Sequence, residues 1–459
     1  MPANVLLVVF DTARADAFEP YGAPRAASPV VADLARRGVA FPRAIAASNW
    51  TAPSHASMFT GLLPRAFGLA GGVPDRAAYR GRFFGLFGTH RDRVLAEVFR
   101  RRGYATLGVS ANAGWIKPSL GFDTGFEDFR VVRGDRRRDV GRWGAKVQWW
   151  RARVDDGAAA ADAALREALA ARTGRPFFAF VNLMECHSPY LPPRPFSELG
   201  PVARWRAVGD SMRYLSNRAQ SLRVNTGEVR LGTDTLGRWR RHYAAAVRMV
   251  DGWLGRTLEW LDHDGVLQDT VVVVTSDHGE NLGEGGRIGH ELSMDQRLLH
   301  VPLVVAGGAA AAPAPLTSLT ELPRIIATSA GLPEHPWGDV PAGAGVAVAQ
   351  SERLGADPTA GALGYPAEGL RRISLDASAA TDGRFTLHRG GGLSEALYDL
   401  EADPLEERDA AHEHPEAADR LRAELDRADA VRPASARTGG LAPAEEADIE
   451  RHLEALGYL

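Results

Sequence analysis

A doubly wound α/β fold, with a mostly parallel central sheet flanked by helices and a small C-terminal α+β subdomain, is what this 459-residue sequence predicts. Three observations predict it. Apolar, β-branched runs that read as strands buried on both faces recur along the first two thirds of the chain. Helical patterns alternate with them. Two of the runs end on acidic residues, at the strand edge where ligand sites of open α/β sheets gather.

Taken in order, Val5 to Phe10 is a continuous apolar strand that ends at Asp11. Pro29 to Gly38 is a short amphipathic helix closed by glycine. Asn49 to Gly61 opens polar and turn-like and continues as a helix from Ser54 to Thr60. Ala105 to Ser110 is a strand, Ala158 to Ala171 an alanine-rich helix and Phe177 to Leu183 a second buried strand. A long helix is expected over Arg240 to Asp262, then a strand over Thr270 to Thr275 that runs into Ser276-Asp277-His278-Gly279. His300 to Val305 reads as one more strand. Gly308 to Pro315 is an alanine and proline linker, followed by a helical pattern over Leu319 to Leu332. Short alternating segments between 346 and 405 predict a small antiparallel sheet, and Glu416 to Ala430 an amphipathic helix. The boundaries are therefore a domain over 1–345, a subdomain over 346–430 and a tail over 431–459. Arg133 to Trp150 is read as an insertion.

Hydrophobic residues make up 45% and charged residues 24%, the balance of an ordinary globular protein. A formal net charge of −3 gives no global field that argues for nucleic acid or an anionic membrane as partner. The single cysteine, Cys186, excludes an internal disulfide framework. The apolar start lacks a positive n-region and a small-residue cleavage site, and no apolar stretch approaches the ~20 residues of a membrane span. A soluble, cytoplasmic protein with a small-molecule substrate is the expectation, and the oligomeric state is left open.

Acid, hydroxyl and imidazole groups gather in three stretches: Asp11-Thr12-Ala13-Arg14-Ala15-Asp16, Asn49 to Gly61, and Thr275-Ser276-Asp277-His278-Gly279-Glu280. An acid at one strand end and an Asp-His pair at another converge in a parallel sheet. Carboxylate oxygens with one imidazole suit a divalent ion: zinc, manganese, magnesium or calcium.

The order Asn4, apolar run, Asp11-x-x-Arg14-x-Asp16, then Pro53-Ser54-x-Ala56-Ser57-x-x-Thr60-Gly61, then Ser276-Asp277-His278-Gly279-Glu280 resembles the sulfatase family of the alkaline phosphatase superfamily. Glu185-Cys186-His187-Ser188-Pro189 resembles the family's substrate-binding segment. Gly289-His290 and Val301-Pro302-Leu303 resemble the stretch after the metal-binding strand. Tyr398-Asp399-Leu400 with Asp403-Pro404, and the closing Ala455 to Leu459, are similar to C-terminal features of the family. The resemblance implies an alkaline-phosphatase-like fold and one bound divalent metal, held by Asp11, Asp277 and His278 with Thr51 completing the set. A second ion is allowed, with Asp251 and His290 as partial ligands. It also implies that His187 and His290 contact the transferred group, with Arg14 on the substrate side and His55 near the nucleophile.

The chain departs from a sulfatase at Thr51. Formylglycine is made from cysteine or serine, and oxidation of a threonine side chain would give a ketone. The family's second acid after Asp11 is here Thr12, and its signature arginine is His55. A threonine nucleophile belongs to the phosphodiesterase and phosphoethanolamine-transferase branches. An alcohol needs a metal or a base to become a nucleophile at neutral pH. The expected reaction is attack by Thr51 on phosphorus or sulfur, a covalent phospho- or sulfo-threonine, and displacement by water or an acceptor alcohol. His187, His290 or His55 would protonate the leaving group. Phosphoester or phosphonate chemistry leads sulfuryl chemistry on this reading. The alternatives are a sulfuryl-group hydrolase or transferase without formylglycine, and a sulfatase-like protein that binds without turnover. The bland readings are an Arg14–Asp16 structural ion pair, a packing role for His55, and ordinary roles for His242, His300 and His388. The Trp143, Trp149, Trp150, Trp205 and Arg218 group is a candidate for contacts to an anionic or ring-bearing substrate.

Overall fold

A computed structural model of the chain describes residues 3–67, 87–134, 141–151, 155–172, 174–290, 292–309, 313–338, 345–351, 377–390 and 393–431. The Arg136–Arg138 run, the closing Ala455 to Leu459 and nearly all of the 431–459 tail lie outside the described residues.

The central sheet is built from β1 (Asn4–Phe10), β2 (Val39–Ala40), β3 (Ala105–Ser110), β4 (Asp128–Val131), β5 (Phe177–Leu183), β6 (Thr270–Thr275) and β7 (Leu303–Ala306). Its order is β2-β7-β6-β1-β5-β3-β4. The five strands from β6 to β4 are parallel, and β7 runs against both of its neighbours. Leu6, Val8 and Phe10 face one apolar layer, and Val5, Leu7 and Val9 face the other. That two-sided burial is why β1 reads as an unbroken apolar run instead of alternating. Fully burying such a side chain contributes about 1.5–3 kcal/mol, so β1 alone anchors both layers.

One helical layer holds α1 (Pro29–Arg37), α3 (Ala158–Ala170) and α4 (Thr233–His263), and the other holds α2 (Thr51–Thr60). α2 starts three residues before the expected Ser54, with Trp50 extended at its N-cap. Pro53 reads as a breaker, yet in a first turn the missing N–H breaks no hydrogen bond. α2 ends at Gly61, whose φ of 74° is left-handed and whose N–H donates to the Ser57 carbonyl at 2.8 Å. α4 begins seven residues before the expected Arg240, because Trp239 is fully buried and extends the packing face. Asp251 on α4 reaches across to accept from Val30 N (3.1 Å) and Val31 N (2.9 Å), capping the first turn of α1.

The single strand expected over His300 to Val305 is divided at Pro302. His300–Val301 pairs with Ala44–Ile45 in a separate small sheet, and β7 joins the central one. The pattern over Leu319 to Leu332 becomes a 3-10 turn, Leu319–Glu321, and a helix, Leu322–Ser329. The insertion at 133–150 contains a helix, Gly141–Arg151, that packs on Pro201–Tyr214.

At the C-terminal end β8 (Ala347–Gln350), β9 (Ala377–Thr381), β10 (Phe385–Gly390) and β11 (Leu393–Asp399) form an antiparallel meander backed by α5 (Pro415–Ala430). Leu387, Leu397, Leu421 and Leu425 form its own small core. It is stitched to the main body by Gln350 N to Ala47 O (2.9 Å), by Gln296 N to Glu406 Oε2 (2.7 Å), and by Arg297 to Leu405 O (3.1 Å). Among the described residues, no helix is long and apolar enough to cross a membrane.

Candidate active site

β1 and β6 are neighbours, so the residues that follow them meet at the carboxyl edge of the sheet. Asp11 follows β1 and Asp277 follows β6, and both are fully buried. Thr12 between them adopts φ 59°, a left-handed conformation costly for a β-branched residue. Its N–H donates to Asp277 Oδ1 (3.1 Å) and its carbonyl accepts from Tyr243 Oη (2.7 Å). These two bonds hold the strained turn and tie the two strand ends together.

Asp11 and Asp277 with His278 place one ligand atom each within 4.8 Å of one another. Asp11 Oδ2 accepts from Asn112 Nδ2 (3.0 Å) and Asn182 Nδ2 (3.4 Å), while Oδ1 has no hydrogen-bond partner. Asp277 Oδ1 accepts from Thr12 N and His278 N, while Oδ2 has none. His278 Nδ1 donates to the Gly279 carbonyl at 2.9 Å, which leaves the Nε2 lone pair for the site. Two orphaned carboxylate oxygens and an imidazole nitrogen of fixed tautomer are the donor set of a divalent cation. Burial pushes the Asp11 carboxyl up, and the facing Asp277 adds to this. Burial alone would also raise Asp277, but His278 and His55 hold it low. Two buried carboxylates share one proton unless a cation joins them. Burial, with His290 alongside, lowers His278 despite Asp277, so its ring is neutral and ready to coordinate.

Thr51 is the first residue of α2, and its Oγ1 lies 3.3 Å from His278 Nε2. Peptide dipoles of α2 point their positive end at this hydroxyl, favouring an alkoxide or an anionic ester there. Ser54 Oγ donates to the Asp277 carbonyl at 2.6 Å, locking α2 to the end of β6.

The four sequence-predicted histidines divide into two groups. His278, His290 and His187 form a row of rings, with centroids 4.6 Å apart between the first two and 4.9 Å between the last two. His187 Nδ1 donates to the Ser188 carbonyl (2.7 Å) and His290 Nδ1 to Glu280 Oε1 (3.0 Å), which fixes the orientation of both rings. His55 is fully enclosed, edge-on to Phe59, Phe122 and Phe180. Its Nδ1 lies 3.0 Å from the Thr51 carbonyl and 3.4 Å from Asp277 Oδ2. That position sets the ring against Thr51 and Asp277, within the same cluster. Arg14 grips Asp16 with two bonds (2.9 and 2.6 Å) and reaches Glu284 (2.9 Å) and the Glu280 carbonyl (3.2 Å), which spends its guanidinium on the loop after β6. Asp251 caps α1 and is not in this cluster, and among the described residues no other group meets the geometry of a second ion site.

Sequence reasoning missed two residues, and gave a third, Glu280, no role of its own. Asn112 and Asn182 hold Asp11, and Glu280 holds His290. Burial works against the Glu280 carboxylate, but His290, His187 and His278 together keep it below the usual range. Asn182 carried a signal, as the one strongly polar residue inside the apolar run Phe177–Leu183. His242 Nδ1 donates to the Tyr190 carbonyl (3.1 Å) and burial lowers the ring to about 4, a packing histidine.

Comparison with known proteins places the chain in a family. A family model described as Sulfatase matches residues 3–332. A protein described as a sulfatase from Formosa agariphila is 26% identical over 297 residues, 60% of this chain and 58% of that protein. The chain therefore spans less than two thirds of that relative's length. A choline-sulfatase from Rhizobium meliloti is 25% identical over 455 residues, 88% of this chain and 81% of the relative. Among solved structures, the phosphonate monoester hydrolase of Agrobacterium radiobacter superposes with a TM-score of 0.63 at 20% identity, covering 93% of this chain and 95% of that one. At that identity the likeness establishes the alkaline-phosphatase-like fold.

Proposed function

The chain belongs to the sulfatase family, and from that premise we propose that it is a divalent-metal-dependent hydrolase or transferase that opens phosphorus esters through Thr51. The observation that carries this reading is the Thr51 hydroxyl at the start of α2, 3.3 Å from His278 Nε2 and beside the orphaned Asp11 and Asp277 oxygens. Asp11, Asp277 and His278, with Thr51, would hold one ion. A bound divalent cation supplies Lewis acidity that lowers the pKa of a nearby hydroxyl toward neutrality.

The chain's own residues account for the rest. Thr51 gives its hydroxyl proton to solvent water, its Oγ forms a bond to phosphorus, and the bond from phosphorus to the leaving oxygen breaks. That oxygen collects a proton from the Nε2 of His290 or His187. Ionised Glu280, bonded to His290 Nδ1, makes His290 the better proton holder. Water or an acceptor alcohol then attacks the phospho-threonine, gives its proton to the same imidazole and releases Thr51. Phosphorus leads sulfur because Thr51 cannot become formylglycine; the sulfatases among the relatives keep sulfate esters as the competing substrate class.

The test is p-nitrophenol release from matched phosphate-diester, phosphonate and sulfate esters, before and after chelation and metal return, in wild type and Thr51→Ala. Metal-restored turnover of a phosphorus ester that vanishes in Thr51→Ala supports the reading. Turnover of the sulfate ester alone overturns the phosphorus preference. Absence of both turnover and tight metal binding overturns the enzyme.

A further inference from the structure

The most exposed large apolar side chains among the described residues, Trp143 at 74% and Val202 at 67%, lie on two packed helices. Trp205 links them. It sits one turn after Val202 on the same helix face, and its ring is 5.7 Å from Trp143 and 6.0 Å from Trp150. Trp143, Lys146, Gly209, Met212 and Arg213 line a shallow depression beside these rings. Cations surround the apolar centre. Lys146 Nζ is 4.2 Å over the Trp205 ring, Arg194 is 5.7 Å over Trp150, and Arg213 is exposed. The helices carry one acid, Asp210, and Arg238 takes it up at 2.5 Å.

From this combination we infer that the face docks on the surface of an anionic lipid bilayer. Tryptophan favours the headgroup level, where its apolar body and polar N–H are both satisfied. Val202 and Met212 gain from contact with the acyl boundary, whereas a hydrated sugar chain or polyanion offers such aliphatic groups little. The cationic rim complements anionic headgroups. Docking is peripheral, since no described helix can cross the bilayer. The face is also rigidly joined to the candidate active site. Buried Arg204 donates to the Trp149 and Trp150 carbonyls (3.2 and 3.1 Å) and to Pro192 O (2.8 Å), five residues beyond His187. One guanidinium thus clamps the helix bearing Trp143 to the loop bearing His187.

Co-sedimentation tests this with vesicles of phosphatidylcholine alone and with added phosphatidylserine, at low and high salt. Wild type is compared with Trp143→Ala/Val202→Ser and with Arg194→Glu/Arg213→Glu, and thermal melting shows that each variant is folded. Wild type is expected to bind the phosphatidylserine vesicles and to release as salt rises. The apolar pair of substitutions should weaken binding about tenfold, and loss of each cation about fivefold. Failure of wild type to bind at low salt overturns the inference, as does undiminished binding by the Trp143 variant. Retention on an anionic polysaccharide without vesicle binding assigns the face to a glycan and overturns it too. A concentration-dependent dimer, lost in the Trp143 variant and indifferent to lipid, assigns it to a second copy with the same consequence.

Discussion

Replacing Glu280 by glutamine keeps the volume of the side chain and removes only the charge that faces His290. In the wild type, Glu280 Oε1 accepts from His290 Nδ1 at 3.0 Å, with both side chains buried. A hydrogen bond to an ionised partner contributes about 1.5–3 kcal/mol and a neutral one about 1 kcal/mol. The difference, roughly 1.5 kcal/mol, is what the carboxylate adds to His290 holding a proton, and it corresponds to about tenfold in rate. The whole contribution of a general acid, about 10²–10⁴-fold, is the ceiling. Glu280→Gln should therefore lower kcat about ten- to a hundredfold for esters with poor alcohol leaving groups. For p-nitrophenyl esters, whose leaving group departs without a proton, the loss should be within about twofold. The assay is kcat and KM across phosphorus esters of graded leaving-group pKa, and the variant should show the steeper dependence. A uniform loss across the series, or a parallel loss of metal affinity, would refute the assignment and leave Glu280 as a structural residue.

Further predictions concern the metal site and stability. Asp11→Asn should abolish tight divalent-metal binding by calorimetry yet raise the melting temperature of the metal-free protein, because it relieves the buried carboxylate pair; a metal-free melting point that falls contradicts this. In wild type, metal at a hundred times its Kd should add about 2.7 kcal/mol of stability, a gain that Asp11→Asn should not show. Gly279→Ala should cost about 3 kcal/mol or more, since a Cβ there would lie 1.9 Å from the Arg297 carbonyl oxygen; unchanged melting refutes the packing argument. Burial raises Asp251 from 3.8 to about 6. Its carboxyl is neutral in both states well below pH 4. Between pH 4 and 6 the unfolded chain loses the proton first, so stability falls, by up to ~3 kcal/mol above pH 6. Urea unfolding of Asp251→Asn should lack that part of the pH slope, and an unchanged slope locates the effect elsewhere.

Much of the fold was legible because the central strands are buried on both faces and so appear as unbroken apolar runs. The strands Ala105–Ser110, Phe177–Leu183 and Thr270–Thr275 have the boundaries the sequence suggested. Legibility failed where long-range packing overrode a local signal. Pro53 hid the true start of α2 at Thr51, and Pro302 divided a run whose halves belong to different sheets. In the site, Asp11, Asp277, His278 and Thr51 were recognisable from ordered motifs, and the structure brings them together. The roles of their neighbours were not recognisable. Glu280 meets His290 only because the two-stranded hairpin of Asn281–Leu282 and Ile288–Gly289 folds ten residues back on themselves. His55 stands where the resemblance places an arginine, and three phenylalanine rings enclose it beside Asp277. No reading of a linear motif contains that enclosure.

Rapid quenching of the metal-loaded enzyme with an aryl phosphonate ester, followed by peptide mass analysis, addresses the nucleophile most directly. The phosphonyl group has a mass that neither phosphate nor sulfate shares. The account predicts a peptide spanning Thr51 that gains one phosphonyl group during turnover, with fragmentation placing it on Thr51 and no adduct in Thr51→Ala. Turnover with no adduct, or an adduct on another residue, would contradict the assignment of Thr51 as the nucleophile.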